Sequence, residues 1–150
     1  MGREVSRRGF LRASAGAAGA AVAAPRRLRA EAGPTSVVSL VRGDVRRKNV
    51  AEALALVEDQ ILPVLRQKKY VVVNPNVVSL IQPLATSHAD ALNEILDFLA
   101  PRFKGPVVIA ESSAANTFAG YEQFGYVKVP AEHRDREVSL VDLNAEGRYE

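Results

Sequence analysis

Two short runs, Tyr70-Val71-Val72-Val73 and Pro106-Val107-Val108-Ile109-Ala110, constrain this chain more than any other feature. An apolar, β-branched run without polar alternation suits a strand covered on both faces, as in a parallel sheet. Each run stops at polar residues, Asn74-Pro75-Asn76 and Glu111-Ser112-Ser113. Between them the period changes. Ala89, Leu92, Leu96 and Leu99, assisted by Ile95, fall on one helical face. Parallel neighbours cannot be joined by a tight turn and need a crossover, usually a helix. The expected fold is therefore α/β, built from βαβ units.

The flanking segments extend that pattern. Val37-Val38-Ser39-Leu40-Val41 reads as a first strand, ending at Arg42-Gly43-Asp44. From Asn49, a plausible N-cap, Val50, Ala53, Leu54, Val57 and Ile61 mark a helix that Pro63 should end or kink. Residues 77–85 read mainly as loop. Thr86 or Ser87 is expected to cap the next helix, with Ser87-x-x-Asp90 resembling a capping box. Pro101 and Gly105 should terminate it. A weaker helix is expected from Asn116 to Phe124, and Val138-Ser139-Leu140-Val141 reads as a fourth strand ending at Asp142. The expectation is a mostly parallel sheet of about four strands with flanking helices, in one domain over residues 33–150. Strand order stays open.

Residues 1–32 read differently. Ser6-Arg7-Arg8-Gly9-Phe10-Leu11-Arg12 matches a twin-arginine signal: a polar residue, paired arginines, then two apolar residues and a basic one. Ala13 to Ala24 follows as an Ala-, Gly- and Ser-rich stretch, too short and weakly apolar to span a bilayer, which needs about 20 strongly apolar residues. It suits an h-region. Ala30-Glu31-Ala32 and Ala21-Val22-Ala23 are both A-x-A cleavage candidates. The expectation is export through the twin-arginine translocation machinery to the periplasm or another extracytoplasmic space. No permanent membrane span is expected after cleavage.

Charge follows the same division. Residues 1–32 carry seven arginines and two acids, net +5, whereas the whole chain is +3, so residues 33–150 carry −2. The basic character belongs to the leader, and the remainder has no electrostatic footprint for nucleic acid. Arg46-Arg47-Lys48 reads as a solvated helix face. The chain has no cysteine. Disulfides, thiolate nucleophiles and cysteine-ligated iron–sulfur clusters are excluded for it.

Ligands of open α/β sheets bind beyond the carboxyl ends of the strands. Polar residues gather there in this sequence: Arg42 and Asp44, Asn74 and Asn76, Glu111 with Ser112 and Ser113, Asp142 and Asn144. Thr86, Ser87 and His88 open the helix behind the second strand. Glu111 is the most suggestive, a carboxylate directly after an apolar strand and before two hydroxyls. Glu111, His88 and Ser112 are the candidate catalytic residues, with Ser112 or Ser113 as nucleophile and His88 as base. Asn74, Asn76, Asp44 and Thr86 are the candidate ligand contacts. Asp44, His88 and Glu111 form an alternative metal set, without helix-type ligand spacing. The serines lack a G-x-S-x-G frame, and no Walker loop or G-x-G-x-x-G is present. His133 reads as solvated loop.

Three stretches carry a family likeness: Val71 to Asn76, Thr86 to Leu92, and Val107 to Ser113. In order and spacing they resemble the N-terminal part of the "domain of unknown function 362" family, whose exported members often have twin-arginine signals. The resemblance implies the same α/β fold and the same export route. Some members are fused to, or encoded as, iron–sulfur proteins, a part that the absence of cysteine excludes here. This chain has Asn74 where the family usually has lysine, and Ala115-Asn116 where it often has Gly-Asp. Family domains are longer, so the likeness implies an incomplete domain. The open readings are a small-molecule or metal site at the strand ends, a non-enzymatic accessory or binding protein of an exported redox system, and a truncated inactive fragment. The cofactor is left unassigned.

Overall fold

The protein is described by a computed structural model covering residues 36–145; the expected leader, residues 1–32, lies outside the described residues. The helices are α1 (Arg46–Ala55), α2 (Glu58–Leu65), α3 (Ala89–Leu99), α4 (Thr117–Gln123) and α5 (Val129–Glu132). The strands are β1 (Val71–Val73), β2 (Val107–Glu111) and β3 (Val138–Asp142). Short 3-10 turns occupy Pro83–Ala85, Tyr126–Lys128 and Leu143–Ala145.

The sheet is parallel throughout, in the order β1-β2-β3. Val71 pairs with Val107 and Val107 with Val138, and the register runs on to Glu111 beside Asp142. The fold is α/β. With sequential order, right-handed crossovers place α3 and the α4–α5 segment on one face. Burial agrees with that arrangement. Val107 and Ile109 are fully buried, whereas Val72, of opposite parity, is 50% exposed. Ser139, on the same level as Val72, is also exposed. The apolar runs are therefore buried mainly on one face, where continuous hydrophobicity predicts both.

Val107 and Ile109 pack in one core with Leu92, Leu96 and Leu99 of α3 and with Tyr121, Tyr126 and Val129. Burying one such leucine or isoleucine contributes roughly 1.5–3 kcal/mol, more than any single cap. The stripe on α3 follows the predicted spacing, with Phe98 and Asn93 buried beside it. Gly105, just before β2, lies close to the chain entering β1, and a Cβ there would meet the Lys69 carbonyl at 2.6 Å.

Several expectations are corrected. Residues 37–41 form no strand and pair with nothing among the described residues. Val38 and Leu40 are 82% and 90% exposed. The first helix starts at Arg46, and Asn49 lies within it, its Nδ2 donating to the Gly43 carbonyl at 2.9 Å. The helix breaks at Leu56–Val57 and restarts as α2, with Pro63 inside it.

The cap of α3 is His88, whose Nδ1 accepts from the Asp90 N–H at 3.1 Å. Neither predicted hydroxyl is free for that task. The loop before α3 folds back so that Val77 and Thr86 form an antiparallel bridge. Ser87 Oγ accepts from the Asn76 N–H at 3.0 Å, and Thr86 Oγ1 donates to the Ser79 carbonyl at 3.3 Å.

His133 is buried rather than solvated, 6% exposed, with Nε2 3.0 Å from Asn93 Oδ1. A polar partner on α3 decided this, and hydropathy does not report partners. The basic run Arg46-Arg47-Lys48 lies exposed on α1, as expected of a solvated helix face, and its arginines also reach α3. Arg46 meets Asp90 at 3.4 Å, and Arg47 bonds Glu94 at 3.3 Å and also Asp97.

Candidate functional site

Parallel strands deliver their last residues to one edge, and here Asn74, Glu111 and Asp142 occupy that edge. Asn74 follows β1. Its Nδ2 donates to the Ala110 carbonyl and to Glu111 Oε2, each at 2.6 Å. Glu111 ends β2, half-buried, in register with Asp142 at the end of β3. Side chains in register on adjacent strands share a face, so the two carboxylates point to the same side.

Behind Asp142 stands a well-bonded polar frame. Its Oδ1 accepts from Thr117 Oγ1 at 2.8 Å and from the Asn144 N–H at 3.0 Å. Asn144 Nδ2 reaches the Ser113 carbonyl at 2.8 Å. Ser113 is buried, and its hydroxyl donates to the Val77 carbonyl at 2.6 Å while accepting from the Ala115 N–H. Ser113 is thus committed to holding the β2–α4 turn, whereas Ser112 is exposed. Asn116 caps α4 through the Ala119 N–H at 2.8 Å, which places Thr117 one residue inside the helix.

Two tyrosines floor the edge. Tyr121 donates to the Val141 carbonyl at 2.9 Å, and its ring centroid lies 5.5 Å from that of Tyr126. Burial, reinforced by the negative charges of Glu111 and Asp142, pushes the Tyr121 hydroxyl up to about 12. Burial likewise raises Tyr126, followed by the effects of Tyr121 and Glu111. Tyr126 donates to the Ser87 carbonyl and ties this floor to the start of α3. Both rings stay neutral donors at ordinary pH.

The predicted residues fall into two groups. Asn74 and Glu111 touch. Asn76 belongs to the second group: its carbonyl accepts from the Ser87 N–H, its own N–H donates to Ser87 Oγ, and its Nδ2 donates to the Ala85 carbonyl at 2.8 Å. Thr86 and His88 lie beside it. His88 is half-exposed at the wall of a cleft of about 320 Å³, with Pro83, Gln123, Phe124 and Gly125. Its Nδ1 accepts a backbone bond, which puts the proton of the neutral ring on Nε2. Among the described residues no hydrogen bond joins Ser112 to His88, and Glu111 does not line the His88 cleft. Asp44 is exposed ahead of α1 and bonds to none of the others.

Sequence reasoning passed over Thr117, Tyr121 and Tyr126. The only signal for Thr117 was its place after a helix cap; nothing local marks the tyrosines. Among the described residues, no three His, Asp or Glu side chains are gathered as a metal site. Compared with known proteins, the chain matches no family model, no curated protein and no solved structure at a significant level.

Proposed function

We propose that this chain is an exported α/β protein whose carboxyl sheet edge binds a small polar ligand. The observation that carries this reading is the Glu111 carboxylate at the end of β2, held by Asn74 and in register with Asp142. An ionised carboxylate accepts hydrogen bonds and donates none. Such an edge selects a ligand rich in donors, with hydroxyls or an amine, and Ser112 stands exposed beside it. A divalent cation is the weaker version, because it takes six or more oxygen ligands and two carboxylates supply few of them.

Thermal-shift titration of the purified protein with panels of polyols, small amines and divalent cations tests the reading. A ligand that raises the melting temperature of the parent, but not of Glu111→Gln or Asp142→Asn, supports it. Equal shifts in all three proteins would remove Glu111 from the site.

Export rests on the leader, with Arg7, Arg8, Phe10 and Leu11 as its recognition residues. No helix among the described residues is long and apolar enough to cross a membrane. Likeness to the domain of unknown function 362 family supports the same route. Replacing Arg7 and Arg8 by lysine and fractionating cells measures it: retention in the cytoplasm is expected, and undiminished export refutes the assignment.

One observation favours the second reading, an accessory protein of a redox partner. Ile81 and Leu84, in the loop between β1 and α3, are 85% and 101% exposed. Apolar side chains this exposed suit a protein contact. If Ile81→Ser with Leu84→Ser abolished co-purification of a redox protein and left ligand shifts intact, the accessory role would stand.

A further inference from the structure

We infer that the cleft between the start of α3 and the end of α4 is a second binding site, for a small carboxylate carried on an aromatic or branched apolar body. The cleft encloses about 320 Å³. That is the lower end of the range for small-molecule pockets, and it admits about one ring with a short substituent. Among the described residues it is more enclosed than the grooves along α1 and α2.

Both walls are anchored by the fold. On one side, the loop before α3 is held by the Val77–Thr86 bridge and by the Ser87 N–H, which donates to the Asn76 carbonyl at 2.8 Å. The Tyr126 hydroxyl, donating to the Ser87 carbonyl, fixes the same turn from below. On the other side, Asn116 caps α4, and the buried Tyr121 pins that helix to the Val141 carbonyl. A cleft between anchored walls needs little ordering to admit a ligand, and ordering is a main cost of binding.

The lining decides the class of ligand. Pro83, Ala89 and Phe124 give it an apolar surface, and Ser87, His88 and Gln123 supply the polar groups. His88 Nδ1 accepts from the Asp90 N–H, so the neutral ring carries its proton on Nε2, at the edge turned away from α3. Ser87 Oγ accepts from the Asn76 N–H at 3.0 Å, which leaves its own hydrogen to donate. Gln123, exposed at the end of α4, adds an amide. No acidic side chain is among the described residues that line the cleft. Asp90 Oδ2 lies 3.3 Å from His88 Nδ1, at the other edge of the imidazole, and Arg46 meets it at 3.4 Å. A lining of donors without acids takes an acceptor, and a carboxylate forms the stronger, charge-assisted bonds. The Glu111 edge makes the reverse demand, for a ligand rich in donors, so ligand charge tells the two sites apart. The cleft does not depend on whether that edge binds anything.

Benzoate has that chemistry and serves as the probe. Titrated into the full chain and followed by amide NMR, it should shift the signals of Ser87 to Ala89 and of Phe124 saturably, with a dissociation constant of roughly 10 mM or tighter. Benzyl alcohol and benzylamine carry the same ring and should bind there about fivefold more weakly or worse. His88→Asn retains a side-chain cap for α3 and removes the imidazole N–H. That variant and Gln123→Ala should each weaken benzoate binding about threefold or more. Equal binding of the three probes overturns the carboxylate assignment. The site itself is overturned by the absence of saturable shifts at these signals, by shifts centred on Glu111 and Asp142 instead, or by undiminished binding in both variants.

Discussion

Asn74 clamps the end of β2 from the end of β1, its amide shared between the Ala110 carbonyl and the Glu111 carboxylate at 2.6 Å each. Removing it strips a partner from a half-buried carboxylate and from the carbonyl of a buried residue. Asn74→Ala should destabilise the fold by about 1–3 kcal/mol. Asn74→Asp should cost more at neutral pH, because it sets two carboxylates against each other. Part of that excess should return in acid. Urea denaturation at pH 7 and at mildly acidic pH checks both.

The tyrosines set an alkaline limit. Tyr121 moves from an ordinary 10.0 up to about 12 in the fold, mainly by burial. A raised value means that the folded state holds the proton more tightly. That stability is complete below the unfolded value and is lost as pH rises toward the folded one. Melting temperature should therefore fall between about pH 10 and 12. Tyr121→Phe should flatten the fall while lowering stability at neutral pH, because the Val141 carbonyl loses its donor.

A buried polar pair joins α3 to the end of α5. Asn93 accepts from His133 at 3.0 Å and donates to Glu132 at 2.8 Å. Asn93→Ala should cost about 1–3 kcal/mol by leaving the buried His133 ring N–H unpaired. In a double-mutant cycle with His133→Phe the losses should add to less than their sum, because both variants break one bond. Chemical denaturation of the four proteins measures the coupling.

Arg102 grips Glu58 with two bonds, 3.0 and 2.8 Å, and lies 4.1 Å above the centroid of the Phe98 ring. Hydrogen bonding to Arg102 holds the Glu58 carboxyl below its usual 4.5. Its contribution is complete above 4.5 and is lost as pH falls through the depressed value. Glu58→Gln should reduce the loss of stability in acid and leave the alkaline limb unchanged, as melting curves across that range would show.

Gly125 ends the α4 turn with φ at 79°, and a Cβ there would meet nothing within 4 Å. Gly125→Ala should therefore cost only the backbone strain of a left-handed residue, about 1 kcal/mol. A larger loss in denaturation would mean that the turn also repacks.

Strands β1, β2 and β3, the buried stripe of α3 and the helix following Asn116 were all legible, because each depends on residues close in sequence. Glu111 and Asn74 were legible as strand ends. Their contact was not, since it requires β1 and β2 to be neighbours in a given register. His133 shows the same limit: its surroundings in sequence are charged, and only the side of α3 makes its position a buried one. His88 became a cap because the Asn76–Ser87 contact had already engaged the nearer hydroxyl, a competition across a folded loop.

The sequence by itself determined the three paired strands, the helix between the first two of them, the parallel character of the sheet and the direction in which its polar tips point. These follow from periodicity and from the need of parallel strands for crossovers. Tertiary structure alone decided the order of the strands, the burial of one sheet face over the other, and the pairing of Asn74 with Glu111 and of Thr117 with Asp142. Such contacts arise between residues remote in the chain, where no local preference acts and the packing of whole elements selects the partner.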